Sequence, residues 1–588
     1  MSRNLIAAFG SLASLVLLSS AAAAGTRYVD VALASGANDG SSWANAYQGA
    51  TGLQTALAAA VAGDQIWVAQ GTYKPTATLT RTIYFVPKSG VEVYGGFAGF
   101  ESALAERDVA TNVTVLSGDL NGDDGSSIFT DNSFHVLNGA GADATAVIDG
   151  FTVRGGNANS SANQDRGGGI LCLSGANPTI RNCVFRENRC TFGGGAGYVN
   201  SSSPAFVDCR FEANLGGSFG GAFDMATNVG ATFTRCVFVG NSAARAGGVE
   251  IFGNSTVKLT NCVFWNNTST GTGGGGAIYV NGSNPVIRNC TVVANHAPVA
   301  GAGGILATPL ISAANNVFYF NDGVGGAQTL LSNVNGVSCT YSCVQGGAAG
   351  TGNLAVDPQL VNLAGGNAHL ALTSPCADAG NNSAVPAGTS TDFDGNPRFA
   401  DDPAVADTGL GVAPVVDIGA YEVPNTLYSF FCAGDGTLAT ACPCGNTATA
   451  GRGCLNSDLF SQGARLVATG TANPDTVVLT SSDMLATVTC VFLQGDQQNA
   501  NGVVFGDGVR CVAGSLKRLY IKSASGGAAS APGGGDPSIS TRSAALGDTI
   551  APGSVRYYQV YYRDPDLAFC PAPQGNSWNV SSGVILQW

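Results

Sequence analysis

Charge is scarce in this 588-residue chain: only 11% of its residues are Asp, Glu, Lys or Arg, and there are three His and three Met. The charge that exists is acidic, 39 Asp and Glu against 26 Lys and Arg, a net of −13. A nucleic-acid partner is therefore not expected, because phosphate binding depends on a surplus of Lys and Arg. The apolar run from Leu5 to Leu18 is too short for a membrane span, which needs about 20 apolar residues, and no later run qualifies. With Arg3 before it and Ala22-Ala23-Ala24 after it, the run has the layout of a cleavable secretory signal over residues 1–24. Behind Val584–Trp588 stands no apolar tail, so a membrane or lipid anchor is not expected either. These features predict an exported protein, either free outside the cell or at its surface.

The sequence is rich in Gly, with 83 residues, and carries 17 Cys. From Ile180 onward a short motif recurs. Cys falls at 183, 209, 236, 262 and 290, with Asn316 in the next copy, in steps of 26, 27, 26, 28 and 26. Two residues on stand Phe185, Phe211, Phe238, Phe264, Val292 and Phe318; three further on, without a break, stand Asn188, Asn214, Asn241, Asn267, Asn295 and Asn321. A Gly-rich cluster precedes each copy, ending at Gly169, Gly195, Gly221, Gly248, Gly276 and Gly304. A near-fixed period over six copies, with no helical phase, means a solenoid.

The spacing within one copy gives the shape of a coil. Cys and Phe, two apart, share a strand face, whereas Ile180 and Cys183, three apart, both point inward only if the chain turns a corner near Asn182. Pro178–Ile180 supplies a second strand and Gly276–Val280 a third. The predicted fold is all-β: a right-handed parallel β-helix with three strands per coil over residues 25–425, followed by a small, cysteine-rich β-sandwich over residues 430–588. Stacking brings equivalent residues into columns. The Asn column reads as a turn ladder with left-handed backbone, the Phe column as core, and the Cys column as buried free thiols. Apolar residues at helical spacing from Leu53 to Val61 predict a helix that caps the open first coil.

The words Tyr28-Val29-Asp30, Asp39–Ala44, Ile66–Ala69, Gly71–Pro75, Gly95–Gly99 and Leu116–Asp119 make the N-terminal region resemble bacterial right-handed β-helix repeat proteins. Residues 355–423 resemble the choice-of-anchor Q region that follows such helices. The words there are Val356–Pro358, Ser374–Gly380, Asp392–Arg398 and Val416–Tyr421. Cys376 departs from that pattern and, with Cys339 and Cys343 nearby, allows a local disulfide. From Phe430 the cysteines lose their period. Cys442–Asn446, Phe505–Cys511 and Arg556–Arg563 resemble a C-terminal module of bacterial exoproteins, a resemblance that implies no assigned activity. Alternation over Thr476–Thr480 and Arg556–Tyr562 predicts strands there. Cys432, Cys442, Cys444, Cys454, Cys490, Cys511 and Cys570 predict disulfides with one left over, Cys490, which lies in an apolar run. Zinc is not expected, since Cys442 and Cys444 have one residue between them and the module has no His.

Parallel β-helices often act on polysaccharides, which requires paired carboxylates or calcium-binding acids beside a basic residue. Between Asp165 and Asp322 the acids are sparse and mostly out of phase, and neither adjacent Asp residues nor a Gly-His-Gly motif occurs. Asp224 and Glu250 come closest, three and two residues past their Gly clusters. That offset of one predicts opposite faces. His135, His296 and His369 suggest no triad. Asp119, Asn121 and Asp123 place oxygen ligands at alternate positions, as a structural calcium loop does, without the distant Glu of an EF-hand; Asp392 and Asp394 are a lesser candidate. No other cofactor is implied. The leading expectation is a monomeric, non-catalytic, exported protein that contacts polysaccharide or a cell-envelope component. The alternatives are a polysaccharide lyase or glycosidase using Asp224 and Glu250, and a purely structural rod tethered by its C-terminal module.

Overall fold

The computed structural model describes residues 24–588 except 372, 401–404, 424–427, 459, 471, 473, 474, 552 and 574. The signal segment, apart from Ala24, lies outside the described residues. The chain forms two compact units, one made of residues up to Arg398 with Gly409–Gly411 and Asp417–Glu422, the other of the remaining residues from Phe399 to Trp588.

The first unit is a parallel β-helix. Its simplest sheet has ten strands, one per coil, running from Gly71–Tyr73 through Val184–Arg186, Arg210–Glu212, Val237–Val239 and Val263–Trp265 to Cys343–Val344. An 18-stranded sheet carries the other two sides of the coils. These sides merge where Ile305–Ala314 pairs with both Ile278–Asn281 and Val286–Arg288. The helix Gly52–Ala59 buries Leu53, Ala56 and Leu57 against Val29, Tyr47 and Ile66, and so covers the first coil.

Corners form where the sequence requires them. Asn182 and its equivalents Asp208, Arg235, Asn261 and Asn289 all have φ between +49° and +54°, which lets Cys183 and Phe185 turn inward, 1% and 0% exposed. The Phe rings stack along the axis at 5.4, 4.9 and 4.3 Å between centroids from Phe185 to Phe264. Phe206 on Phe233, at 4.8 Å, fills the same core. Coils approach so closely at the Gly clusters that a Cβ on Gly221 would lie 2.2 Å from the Gly247 carbonyl oxygen.

The Asn column is a ladder, with one correction. The left-handed residue is the one before each Asn, as at Glu187, Ala213 and Asn266. Freed from that task, each Asn side chain points inward and bonds coil to coil. Asn214 donates its amide and Nδ2 to Asn241 Oδ1 (3.0 and 2.9 Å), and Asn241 donates in the same way to Asn267. Asn333 ends the ladder by accepting from Asn321, from a short helix only 12 residues on. The Cys column consists of buried free thiols. Each donates to a carbonyl two residues earlier, as Cys209 does to Val207 at 3.3 Å. Cys339, Cys343 and Cys376 are also free, so the local disulfide does not form.

The second unit is built of antiparallel sheets. Six strands include Thr489–Gly495, Lys517–Ser523, Val555–Arg563 and Trp578–Val580; three others, Arg465–Thr469, Val478–Ser482 and Ala529–Ala531, form a second sheet. Leu466, Leu479 and Ala531 from the smaller sheet share a core with Phe492, Val560 and Tyr562 from the larger. Disulfides join Cys432 to Cys511, Cys442 to Cys454 and Cys444 to Cys570, and Cys490 stays free inside that core. Both thiols of Cys442-Pro443-Cys444 are thus consumed in disulfides.

Candidate functional site

Asp224 and Glu250 are direct neighbours on adjacent coils, in register between the strands Phe223–Met225 and Val249–Phe252. The expected opposition of faces is therefore wrong. Its cause is that Ala222, not Gly221, stands level with Gly248, so the end of a Gly cluster does not mark phase. The column continues with Tyr198 below and Tyr279 above.

All four side chains point away from the core, yet the acids are buried, Asp224 at 5% and Glu250 at 1% exposure. A second column covers them. Arg166, Phe192, Phe219 and Arg245 recur at the coil period just before the Gly clusters. Phe192 and Phe219 meet edge to face at 4.8 Å, and each carries a guanidinium 4.3 Å from its ring, Arg166 on Phe192 and Arg245 on Phe219. Arg166 donates to the Tyr198 hydroxyl at 3.1 Å. Arg245 lies over Tyr279 at 4.8 Å and pairs with Glu250. Gly193 is required here, since a Cβ would fall 2.2 Å from Asp224 Oδ2. The covering column was legible in the period, but residues scattered by type along a turn give no apolar or acidic signature to draw attention to it.

Burial, and then the neighbouring Glu250, push the Asp224 carboxyl up to about 8. Burial also raises Glu250, with Arg245 opposing. At neutral pH Asp224 therefore keeps its proton, and Arg245 pairs with Glu250. The sign of the pH effect follows. A carboxyl raised in the folded state favours folding while it is protonated, so its contribution is complete below about 4 and is lost as pH rises through about 8. Asp224→Asn is expected to melt higher than the parent at pH 8 and to flatten the decline in stability between pH 4 and 8, by on the order of a few kcal/mol. Identical pH profiles for the two proteins would refute this protonation state.

The acid loop gathers one more carboxylate than the sequence reading named. Asp119, Asp123 and Asp131 bring ligand oxygens within 4.8 Å of one another. Asp131 adds a third carboxylate to the loop, and its Oδ2 also accepts the Asn121 backbone amide at 2.8 Å. It lies eight residues beyond Asp123, outside the run of alternating acids. Asp119 accepts amides of Gly122, Asp123 and Asp124, while one oxygen each on Asp123 and Asp131 is buried without a hydrogen-bond partner among the described residues. Desolvation and the neighbouring Asp131 and Asp119 raise the Asp123 carboxyl. Elsewhere, Asp392 accepts the Glu422 and Asn396 amides, and Asp394 pairs with His369 at 2.6 Å. His135 and His296 lie apart, bonded to Gly167 and Asp322.

Residues 120–292 match the family described as right handed beta helix region. The match spans the coils that carry Asn188 to Asn267 of the ladder and the Asp224–Glu250 pair. Among curated proteins, the metabotropic glutamate receptor-like proteins R and P of Dictyostelium discoideum are similar, 31% identical over 147 residues and 30% over 102. These stretches are 24% and 17% of this chain and only 8% and 7% of those proteins. Among solved structures, pectate lyase Pel9A aligns with 68% of this chain and 97% of its own at 16% identity and a TM-score of 0.38. Among the described residues no helix is long and apolar enough to cross a membrane.

Proposed function

We propose that this chain is an exported, non-catalytic right-handed β-helix protein that contacts polysaccharide. The observation that carries the non-catalytic half is the sealing of Asp224 and Glu250. A glycosidase needs its two carboxyls open to a sugar on either side of the scissile bond. Here one carboxyl is protonated by its own burial, the other is paired with Arg245, and Phe192 and Phe219 lie in the covering layer. Three disulfides in one unit support an oxidising, extracellular setting. Contact with polysaccharide is supported by the low charge of the chain, 11% of its residues, which suits a largely uncharged hydroxyl-rich ligand.

Calcium at the Asp119, Asp123 and Asp131 cluster belongs to this proposal as a structural ion. Hard carboxylate oxygens suit it, and the unpartnered oxygens on Asp123 and Asp131 give it donors to bind. One experiment tests both statements. The purified chain is incubated with a panel of plant and bacterial polysaccharides, in calcium or in chelator, and reducing ends and unsaturated uronate absorbance are read alongside the melting temperature. The expected result is no turnover, with melting several degrees higher in calcium. Turnover abolished by Asp224→Asn or Glu250→Gln would replace this reading with the lyase or glycosidase alternative. Melting indifferent to calcium would remove the ion.

A further inference from the structure

We propose that the C-terminal unit carries a binding cleft for an acidic, uronate-bearing polysaccharide, with Arg518 and Arg563 as its carboxylate-binding groups. This rests on the polysaccharide-contact reading and assigns that contact to one place. The cleft follows from strand alternation. In Thr489–Gly495 and Val555–Arg563, Cys490, Phe492, Val560 and Tyr562 turn into the core between the two sheets, so Val491, Tyr561 and Arg563 face the other way. Val491 lies opposite Tyr561, and Arg563 opposite Trp578.

That outer face is only partly covered. The hairpin Gln497–Phe505 with Gly508–Ala513 lies over one end of it, where Val509 and Val512 pack with Leu493. Cys511, on the return strand, is tied to Cys432. Phe505, at the hairpin tip, stops beside Tyr561 and Trp578, with ring centroids 5.6 and 6.0 Å away. Beyond it a cleft of about 280 Å³ stays open, with Val491 and the three rings among its walls. Arg518 stands over Tyr561 at 6.0 Å and Arg563 over Trp578 at 5.9 Å.

The chemistry of these walls selects the ligand. Aromatic faces take the apolar C–H face of a pyranose ring, and their strand positions hold them ready without an ordering cost. Both guanidinium groups are exposed, and among the described residues neither pairs with a carboxylate; Arg563 donates only to Ser577 Oγ, at 3.0 Å. In a chain of net charge −13, two unneutralised cations beside clustered aromatic rings are a local reversal of charge. A sugar that bears a carboxylate satisfies both features at once, since guanidinium binds carboxylate through paired N–H donors.

The test uses the full chain and its Arg518→Ala/Arg563→Ala double variant. Affinity electrophoresis in polygalacturonate, with galactan as the neutral counterpart, reads binding, and melting temperature reads folding. Both side chains are exposed, so folding is expected to be unchanged. The parent is expected to be retarded by polygalacturonate and not by galactan, and the double variant to bind about tenfold or more weakly. Equal retardation of parent and variant would place the contact elsewhere on the chain, overturning the cleft while leaving polysaccharide contact intact. Galactan binding as strong as that of polygalacturonate would overturn the role of the arginines. A parent retarded by neither would overturn both readings.

Discussion

Asn241→Ala is expected to destabilise the β-helix by about 3 kcal/mol, measured by urea unfolding. The residue is fully buried. Its Oδ1 accepts the Asn214 amide and Nδ2, and its Nδ2 donates to the Phe211 carbonyl at 2.9 Å and to Asn267 Oδ1. Alanine removes these four bonds and leaves the Asn214 amide with no acceptor in a place water does not reach. An orphaned buried donor costs more than a lost bond is worth, because it loses its solvation and gains nothing in return. Asn241→Asp keeps the acceptor for Asn214 but turns a carboxylate toward Asn267 Oδ1 and the Phe211 carbonyl, so its loss is expected to be comparable at neutral pH and smaller in acid. A loss below about 0.5 kcal/mol for Asn241→Ala would show that the ladder is a consequence of coil stacking and not one of its causes.

Arg398→Met is expected to cost about 3–5 kcal/mol, seen as a lowered melting temperature. Arg398 is among the largest fully buried side chains. It pairs with Glu422 at 3.0 Å and donates to the carbonyls of Asp417 and Gly419 at 2.7 and 2.9 Å. It thus joins two of the short words that mark residues 355–423, Asp392–Arg398 and Val416–Tyr421. Asp392 closes the arrangement by accepting the Glu422 amide at 3.0 Å. Next to this hub the segment meets the coils, Gly419 donating to the Asn315 carbonyl and Ala420 to Thr291 Oγ1, both at 3.0 Å. Methionine fills much of the volume but leaves Glu422 buried without its cation, so the carboxyl must take up a proton. The Arg398→Met/Glu422→Leu double variant, which removes both charges, is expected to recover part of the loss. If it recovered nothing, the cost would come from the carbonyl contacts and not from the charge pair.

Most of the coil was legible in the sequence because one period repeats one set of contacts. Cys183, Phe185 and Asn188 each recur with their neighbours, so the faces of one coil fix those of the next, and the corner at Asn182 followed from a spacing of three residues. The ladder's end at Asn333 was not legible, because the helix that supplies it breaks the period. The site was harder still. Counting from Gly clusters misplaced Asp224 against Glu250 by one residue, since Ala222 takes a glycine's place in the cluster. The Arg518–Arg563 cleft comes from residues distant in sequence, and no pattern connects such residues before the strands pair.

By itself, then, the sequence determined the parallel coils, their columns, the capping helix, the antiparallel second unit and the free Cys490. These follow from local periodicity and from alternation between buried and exposed faces. Only the tertiary structure decided which cysteines pair, that Asp224 and Glu250 adjoin, and that a layer of arginine and phenylalanine seals them. Protonation, ion pairing and access depend on distances of a few ångströms between separate turns of the chain, and those distances exist only once the coils have stacked.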